Sequence, residues 1–154
     1  MITEYPDRVR VAQHSDEKEI MDLCKRLHSE NAIFPMDDDK VIFHIRKAFH
    51  RDGSIMGVIG PSGYIEGMIY MALSSFWYTK RQHWEEYFVY TPPEYRKSKN
   101  AQDLLKFAKW CSESTDTPLL TGVISDHRMD GKVRLYQRQL GEPKGAFFFY
   151  DSKK

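Results

Sequence analysis

The sequence predicts an α/β fold, an α+β mixed sheet built as one domain over residues 1–154. Three observations predict it. Between Ser54 and Thr91 three strand-like runs follow one another, and consecutive strands pair antiparallel. After Thr91 a helical stripe leads to a short apolar run, a strand–helix–strand order that needs a parallel crossover. Two amphipathic helical patterns come before the strands. A length of 154 residues, with 41% hydrophobic and 14% aromatic content, suits one well-filled core and excludes a disordered chain.

Arg8–Ala12 reads as the first strand. Ser15 is placed to cap a helix whose first turn carries Asp16, Glu17 and Glu19, which favour the helix dipole. Ile20, Leu23, Cys24 and Leu27 recur at helical spacing. After Pro35, Asp37, Asp38 and Asp39 precede a second helical pattern of Val41, Ile42, Ile45, Ala48 and Phe49, which Gly53 stops. Ser54–Gly60 and Tyr64–Leu73 are apolar runs across a Gly-Pro-Ser-Gly turn, as in a β-hairpin. Trp84–Thr91 is a third strand, ended by Pro92-Pro93 because proline cannot donate to a ladder.

The clearest helical stripe is Ala101, Leu104, Leu105, Ala108 and Cys111. Pro118–Val123 reads as a short buried strand and Met129–Leu140 as a helix stopped by Gly141 and Pro143. Ala146–Tyr150 reads as a last strand. The order is β-α-α-β-β-β-α-β-α-β.

The net charge of +1 excludes a globally basic nucleic-acid binder but hides an asymmetry. Residues 1–95 hold 11 basic and 15 acidic residues, while residues 96–154 hold 12 and 7. Cys24 and Cys111, on separate helices, read as two buried thiols. His14, His28, His44, His50, His83 and His127 include no i, i+4 pair, so no metal site is expected. No stretch approaches the roughly 20 apolar residues of a membrane span, and the N-terminus lacks a signal-peptide core. A cytoplasmic protein is expected, with no membrane partner.

The chemistry-bearing stretch runs from Tyr87 to Trp110. A strand ends at a proline pair, and the loop Arg96-Lys97-Ser98-Lys99-Asn100 leads directly into a helix. Free amides at a helix N-terminus favour phosphate, and three cations add to that attraction. A solvated basic turn is the alternative. This stretch resembles the acetyl-CoA-binding motif of the GNAT superfamily of N-acetyltransferases. Pro93-Glu94-Tyr95-Arg96 matches its proline–acid–aromatic–arginine run, Ala101 its final small residue, and Leu104-Leu105 the apolar pair that follows. The element order also resembles that of the family across nearly the whole chain. Lys99 stands where the motif has its first glycine, and Asn100, which tolerates left-handed backbone, compensates. Short phage-encoded members, which this chain resembles in length, share that replacement.

The resemblance implies a GNAT-like acyl-CoA N-acyltransferase fold with splayed central parallel strands. It implies acetyl-CoA (coenzyme A) as co-substrate and direct attack of a primary amine in a ternary complex. Val89, Tyr90 and Thr91 would pair with the pantetheine. Arg96, Lys97, Ser98, Lys99, Asn100 and Ala101 would hold the pyrophosphate. Glu85, 11 residues before Arg96, is the first choice as general base and Glu86 the second, since neighbours on a strand point to opposite faces. Tyr136, in a segment similar to the family's L-Y-x-x-x-G, would protonate the leaving sulfur. An amphipathic packed tyrosine is the alternative. The acceptor would be an amine-bearing small molecule or protein, met by the acidic N-terminal half and by the 74–84 loop. A homodimer is compatible, and nucleic acid is not the expected partner. The missing glycine leaves a second class open: a catalytically inactive GNAT-fold binding module that captures a protein or nucleic acid.

Overall fold

Five strands lie in sequence order in one sheet of the computed structural model, which describes residues 2–125 and 128–153, so that His127 lies outside it. They are β1 (Val9–Val11), β2 (Ser54–Ile59), β3 (Gly67–Ser75), β4 (Gln82–Tyr90) and β5 (Leu119–Leu120). Pairs β1–β2, β2–β3 and β3–β4 are antiparallel and β4–β5 is parallel. This is the mixed sheet that the order of sequence patterns predicts.

Helices α1 (Glu17–Asn31) and α2 (Asp38–Phe49) cover one face, and α3 (Asn100–Ser114) covers the other. The first core joins Ile20, Leu23 and Cys24 of α1 and Ile45 and Ala48 of α2 to Met56, Val58, Met68 and Tyr70 of the sheet. The second joins Leu104, Phe107, Ala108 and Cys111 of α3 to Val9, Ile59, Ile69 and Met71. Gly57 of β2 makes the second core possible. A Cβ there would lie 2.9 Å from the Phe107 ring and 3.0 Å from Val9. Helix α4 (Met129–Leu140) packs beside α3.

The start of α1 departs from expectation. Ser15 does not cap it; a 3-10 turn over His14–Asp16 comes first. Asp16, fully buried, accepts from both Arg10 nitrogens (2.8 and 2.9 Å), from the Gln13 amide (2.9 Å) and from Ser62 Oγ (2.6 Å). The Arg10 guanidinium holds its carboxyl down at about 2, against the effect of burial. A buried ion pair with these partners fixes the chain more firmly than an exposed hydroxyl could.

The predicted last strand, Ala146–Tyr150, does not join the sheet. β5, the edge strand on the C-terminal side of the sheet, is two residues long, too short to template a ladder. Phe147, Phe148 and Tyr150 stay exposed, and Phe149 meets only the Phe34 ring edge-on at 5.8 Å. Of the expected Pro118–Val123 strand only Leu119–Leu120 pairs with β4. Among the described residues no helix is long and apolar enough to cross a membrane.

Candidate active site

Strands β4 and β5 touch over just two residue pairs, Trp84 with Leu119 and Glu85 with Leu120. The Trp84 amide also donates to the Pro118 carbonyl at 2.7 Å. Beyond Glu85 the strands diverge, and the gap opens into a cleft of about 940 Å³. Residues 85–91 form one wall, residues 120–124 the opposite wall, and α4 supplies Lys132, Leu135 and Tyr136. Its size lies at the upper end for small-molecule sites. The backbone of β4 facing the gap has lost its parallel partner, so its amides and carbonyls are available to a ligand.

A bulge in β4 shapes this wall. Tyr70 pairs with Phe88 but Met71 pairs with Glu86, so Tyr87 is an extra residue. Tyr87 and Phe88 consequently both turn toward the α2 side, where Tyr87 stacks on Tyr70 at 5.2 Å between centroids. Trp84 and Val89 pack on the α3 side.

Glu86 is 8% exposed and its Oε1 accepts a 2.7 Å hydrogen bond from the Tyr136 hydroxyl of α4. Burial pushes the Glu86 carboxyl up to about 7, and the hydrogen bond from Tyr136 only partly offsets it. Burial, then the Glu86 charge, raises the Tyr136 hydroxyl well above its ordinary value. Glu85 also lines the cleft, one-third exposed, with its Oε1 3.8 Å from Nε2 of His83. The structure thus joins Tyr136 to the second-choice glutamate of the sequence and leaves Glu85 at the rim where the strands still pair.

The residues singled out for the cofactor divide into two groups. Val89, Tyr90, Thr91, Arg96 and Ala101 line the cleft. Thr91 Oγ1 itself is buried away from the cleft, against Gly67 of β3, with no hydrogen-bond partner among the described residues. Arg96 donates to the Thr91 carbonyl (2.9 Å) and to Glu30 of α1 (2.5 Å), and lies 5.9 Å from the Tyr90 ring centroid. The Tyr90 hydroxyl also donates to Glu30. Lys97, Ser98 and Lys99 sit in the exposed loop before α3, where Ser98 Oγ donates to the Tyr95 carbonyl (2.5 Å) and accepts from the Asn100 amide (3.2 Å). The Ala101 and Gln102 amides are in the first turn of α3, where no helical acceptor exists.

Asn100 departs from expectation. It is helical, 1% exposed and turned away from the loop: Nδ2 donates to the Glu66 carbonyl (3.1 Å) and Oδ1 accepts from Arg8 (2.5 Å). No left-handed residue occurs in this loop among the described residues. Lys99 adopts φ −92, ψ 13, which any residue can take, so nothing needs compensating. Three further charged residues reach the cleft without having been singled out: Glu30, Arg128 and Lys132. Lys132 donates to Ser125 Oγ at 2.8 Å, and burial, then Arg96, lowers its affinity for a proton. The excess of basic residues after position 96 was the one sign of these cations. The 76–81 turn, by contrast, contributes nothing to this cleft. Among the described residues no group of His, Cys, Asp and Glu converges as metal ligands would.

No family model matches the sequence, and no curated protein sequence matches it. Solved structures do. A predicted acetyltransferase from Clostridium acetobutylicum with acetyl-CoA superposes with TM-score 0.73 at 14% identity, over 93% of this chain and 94% of its own. AAC(6')-Iy in complex with the bisubstrate analogue CoA-S-monomethyl-acetylneamine gives 0.70 at 13%, over 94% and 96%. A GNAT family acetyltransferase of Staphylococcus aureus gives 0.64 at 15%, over 93% and 96%. With both chains covered almost end to end, this protein has the fold of the GNAT-family acetyltransferases.

Proposed function

We propose that the protein is an acetyl-CoA-dependent N-acetyltransferase that uses a primary amine as acceptor. The observation that carries this reading is the buried Glu86–Tyr136 hydrogen bond at the wall of the β4–β5 cleft. The cleft suits acetyl-CoA. Unpaired β4 backbone offers partners to amide groups of a pantetheine arm. The first turn of α3, with Arg96, Lys97 and Lys99 before it and Lys132 across from it, offers amides and positive charge to a pyrophosphate.

Bound there, acetyl-CoA supplies an activated thioester. The protein's task is then to move protons, because an ammonium cannot attack and a bare thiolate is a poor leaving group. Glu86, with its carboxyl raised to about 7, is half ionised near neutrality and accepts the proton the amine loses as the N–C bond forms. Tyr136 donates its proton to the sulfur as the S–C bond breaks. Tyr136 alone would be a weak acid, since the Glu86 charge is one cause of its raised position. Once Glu86 has taken a proton that cause is gone, and the 2.7 Å hydrogen bond carries the proton on to Tyr136. The carboxylate and phenol are thereby regenerated, and no net proton is left on the pair. A backbone amide of β4 in the gap is available to the thioester oxygen as charge develops on it.

Ligand linkage tests the cofactor half of this reading. Acetyl-CoA at 100 times its dissociation constant stabilises the folded state by about 2.7 kcal/mol, so millimolar acetyl-CoA raises the melting temperature by several degrees. An unchanged melting curve at that concentration would exclude the reading.

A further inference from the structure

We propose that the acceptor is a primary amine on an apolar, ring-bearing body, an arylalkylamine type of molecule rather than a polycation. This rests on the acetyltransferase reading and adds the substrate class. A second cavity of about 260 Å³ lies between α1, α2 and the sheet. Leu27, Tyr87 and Phe88 border both it and the main cleft. The bulge in β4 creates this shared wall by turning Tyr87 and Phe88 to the same side, three residues or fewer from Glu86 and Val89 on the other. A body seated in the cavity can therefore extend an amine toward the cleft.

The lining decides the chemistry. Cys24, Met36, Val41 and Met56 are apolar, and Tyr70 and Tyr87 present stacked rings. The volume is that of roughly nine waters at about 30 Å³ each, enough for one or two fused rings. No carboxylate lines it. Four of the five acidic residues of α1 and its approach already have partners: Asp16 holds Arg10, Glu17 holds Arg46, Glu19 holds the Gly63 and Ile65 amides, and Glu30 holds Arg96. The polar lining groups are also engaged. His44 Nδ1 and the Tyr70 hydroxyl are 3.0 Å apart, and His28 Nε2 meets the Phe34 carbonyl at 2.7 Å. Burial, with Lys40 and Lys47 on the same helix, lowers the affinity of His44 for a proton. Glu85, hydrogen-bonded to Tyr87, lines the cleft and not this cavity, so inside the cavity a second or third ammonium would meet no carboxylate among the described lining residues and would lose its hydration, whereas a ring gains by leaving water.

The acidic excess of residues 1–95 therefore puts no carboxylate into this cavity among the described residues; its members in the cleft are Glu30, Glu85 and Glu86. Most of the α1 share of it braces the fold.

The test compares amines with acetyl-CoA saturating and the released CoA thiol as readout. Phenethylamine and tryptamine are expected to exceed spermidine and kanamycin by at least tenfold in kcat/KM. Met36→Trp, which fills the cavity from a loop, is expected to raise KM for phenethylamine about tenfold while acetyl-CoA still raises the melting temperature as in the wild type. Transfer to spermidine or kanamycin at rates equal to or above the aromatic amines overturns this inference and leaves the acetyltransferase reading standing. So does acetyl-CoA binding with no transfer to either aromatic amine, or a Met36→Trp protein that binds acetyl-CoA with phenethylamine KM unchanged. Failure to bind acetyl-CoA at all overturns both.

Discussion

Replacing Glu86 by Gln removes one ionisable group from the cleft wall and should stabilise the free protein at alkaline pH. The carboxyl titrates near 7 when folded, against about 4.5 when exposed, because it is 8% accessible and has only the Tyr136 hydroxyl to stabilise its charge. With the folded value raised, the native state holds the proton more tightly than the unfolded chain. Stability from this group is fully present below about pH 4.5 and is lost as pH rises through about 7. At 1.36 kcal/mol per pH unit the loss between pH 5 and pH 8.5 is roughly 2–3 kcal/mol. For a chain of this size that is about 5–10 °C in melting temperature. Gln has nearly the same shape and can still accept from Tyr136, but it cannot ionise. The assay is thermal unfolding of wild type and Glu86→Gln, without ligand, at both pH values. The variant should gain on the wild type by that amount between pH 5 and pH 8.5. Parallel curves, with the same difference at both, would refute the argument that burial governs this carboxyl.

Tyr136→Phe should lower turnover by roughly 10²-fold, the range for loss of a general acid, while the acetyl-CoA dissociation constant stays the same. It should also move the acidic limb of the pH–rate profile above 7, since Glu86 loses the hydrogen bond that favours its ionised form; a profile that does not move would assign Tyr136 to packing. Asn100→Ala should cost roughly 1–3 kcal/mol in denaturant unfolding, because the Glu66 carbonyl and Arg8 each lose a partner at a buried position. Lys99→Gly should not tighten CoA binding in calorimetry, since Lys99 already holds an ordinary backbone conformation and the substitution removes a cation; tighter binding would mean that the loop is constrained by its side chain.

The fold was legible where periodicity and local chemistry act alone. The α3 stripe, the Gly-Pro-Ser-Gly turn and the Pro92-Pro93 stop each act within a few residues, and each element they define is present. Ala146–Tyr150 was misread because strand character is not enough: an edge must be free and long enough, and β5 offers two residues. The site was legible in part for a similar reason. The family resemblance brought out Glu85, Glu86 and Tyr136, but which glutamate meets Tyr136 depends on strand pairing and α4 packing, 50 residues apart in sequence. The bulge at Tyr87, which turns the aromatic wall toward α2, has no local glycine to announce it. Asn100 reads as a loop residue until Arg8 and the Glu66 carbonyl are seen to claim its side chain. Glu30 and Lys132 carry no motif at all and reach the cleft only through the packing of α1 and α4.

Acetyl transfer itself tests the central claim most directly. Protein, acetyl-CoA and phenethylamine are incubated at pH 8 and the amine is weighed by mass spectrometry. The account predicts a gain of one acetyl group with an equivalent of free CoA, abolished in the Glu86→Gln, Tyr136→Phe double variant. An amine left unmodified by a protein that binds acetyl-CoA, across aromatic and polycationic acceptors alike, would contradict it, as would full transfer by the double variant.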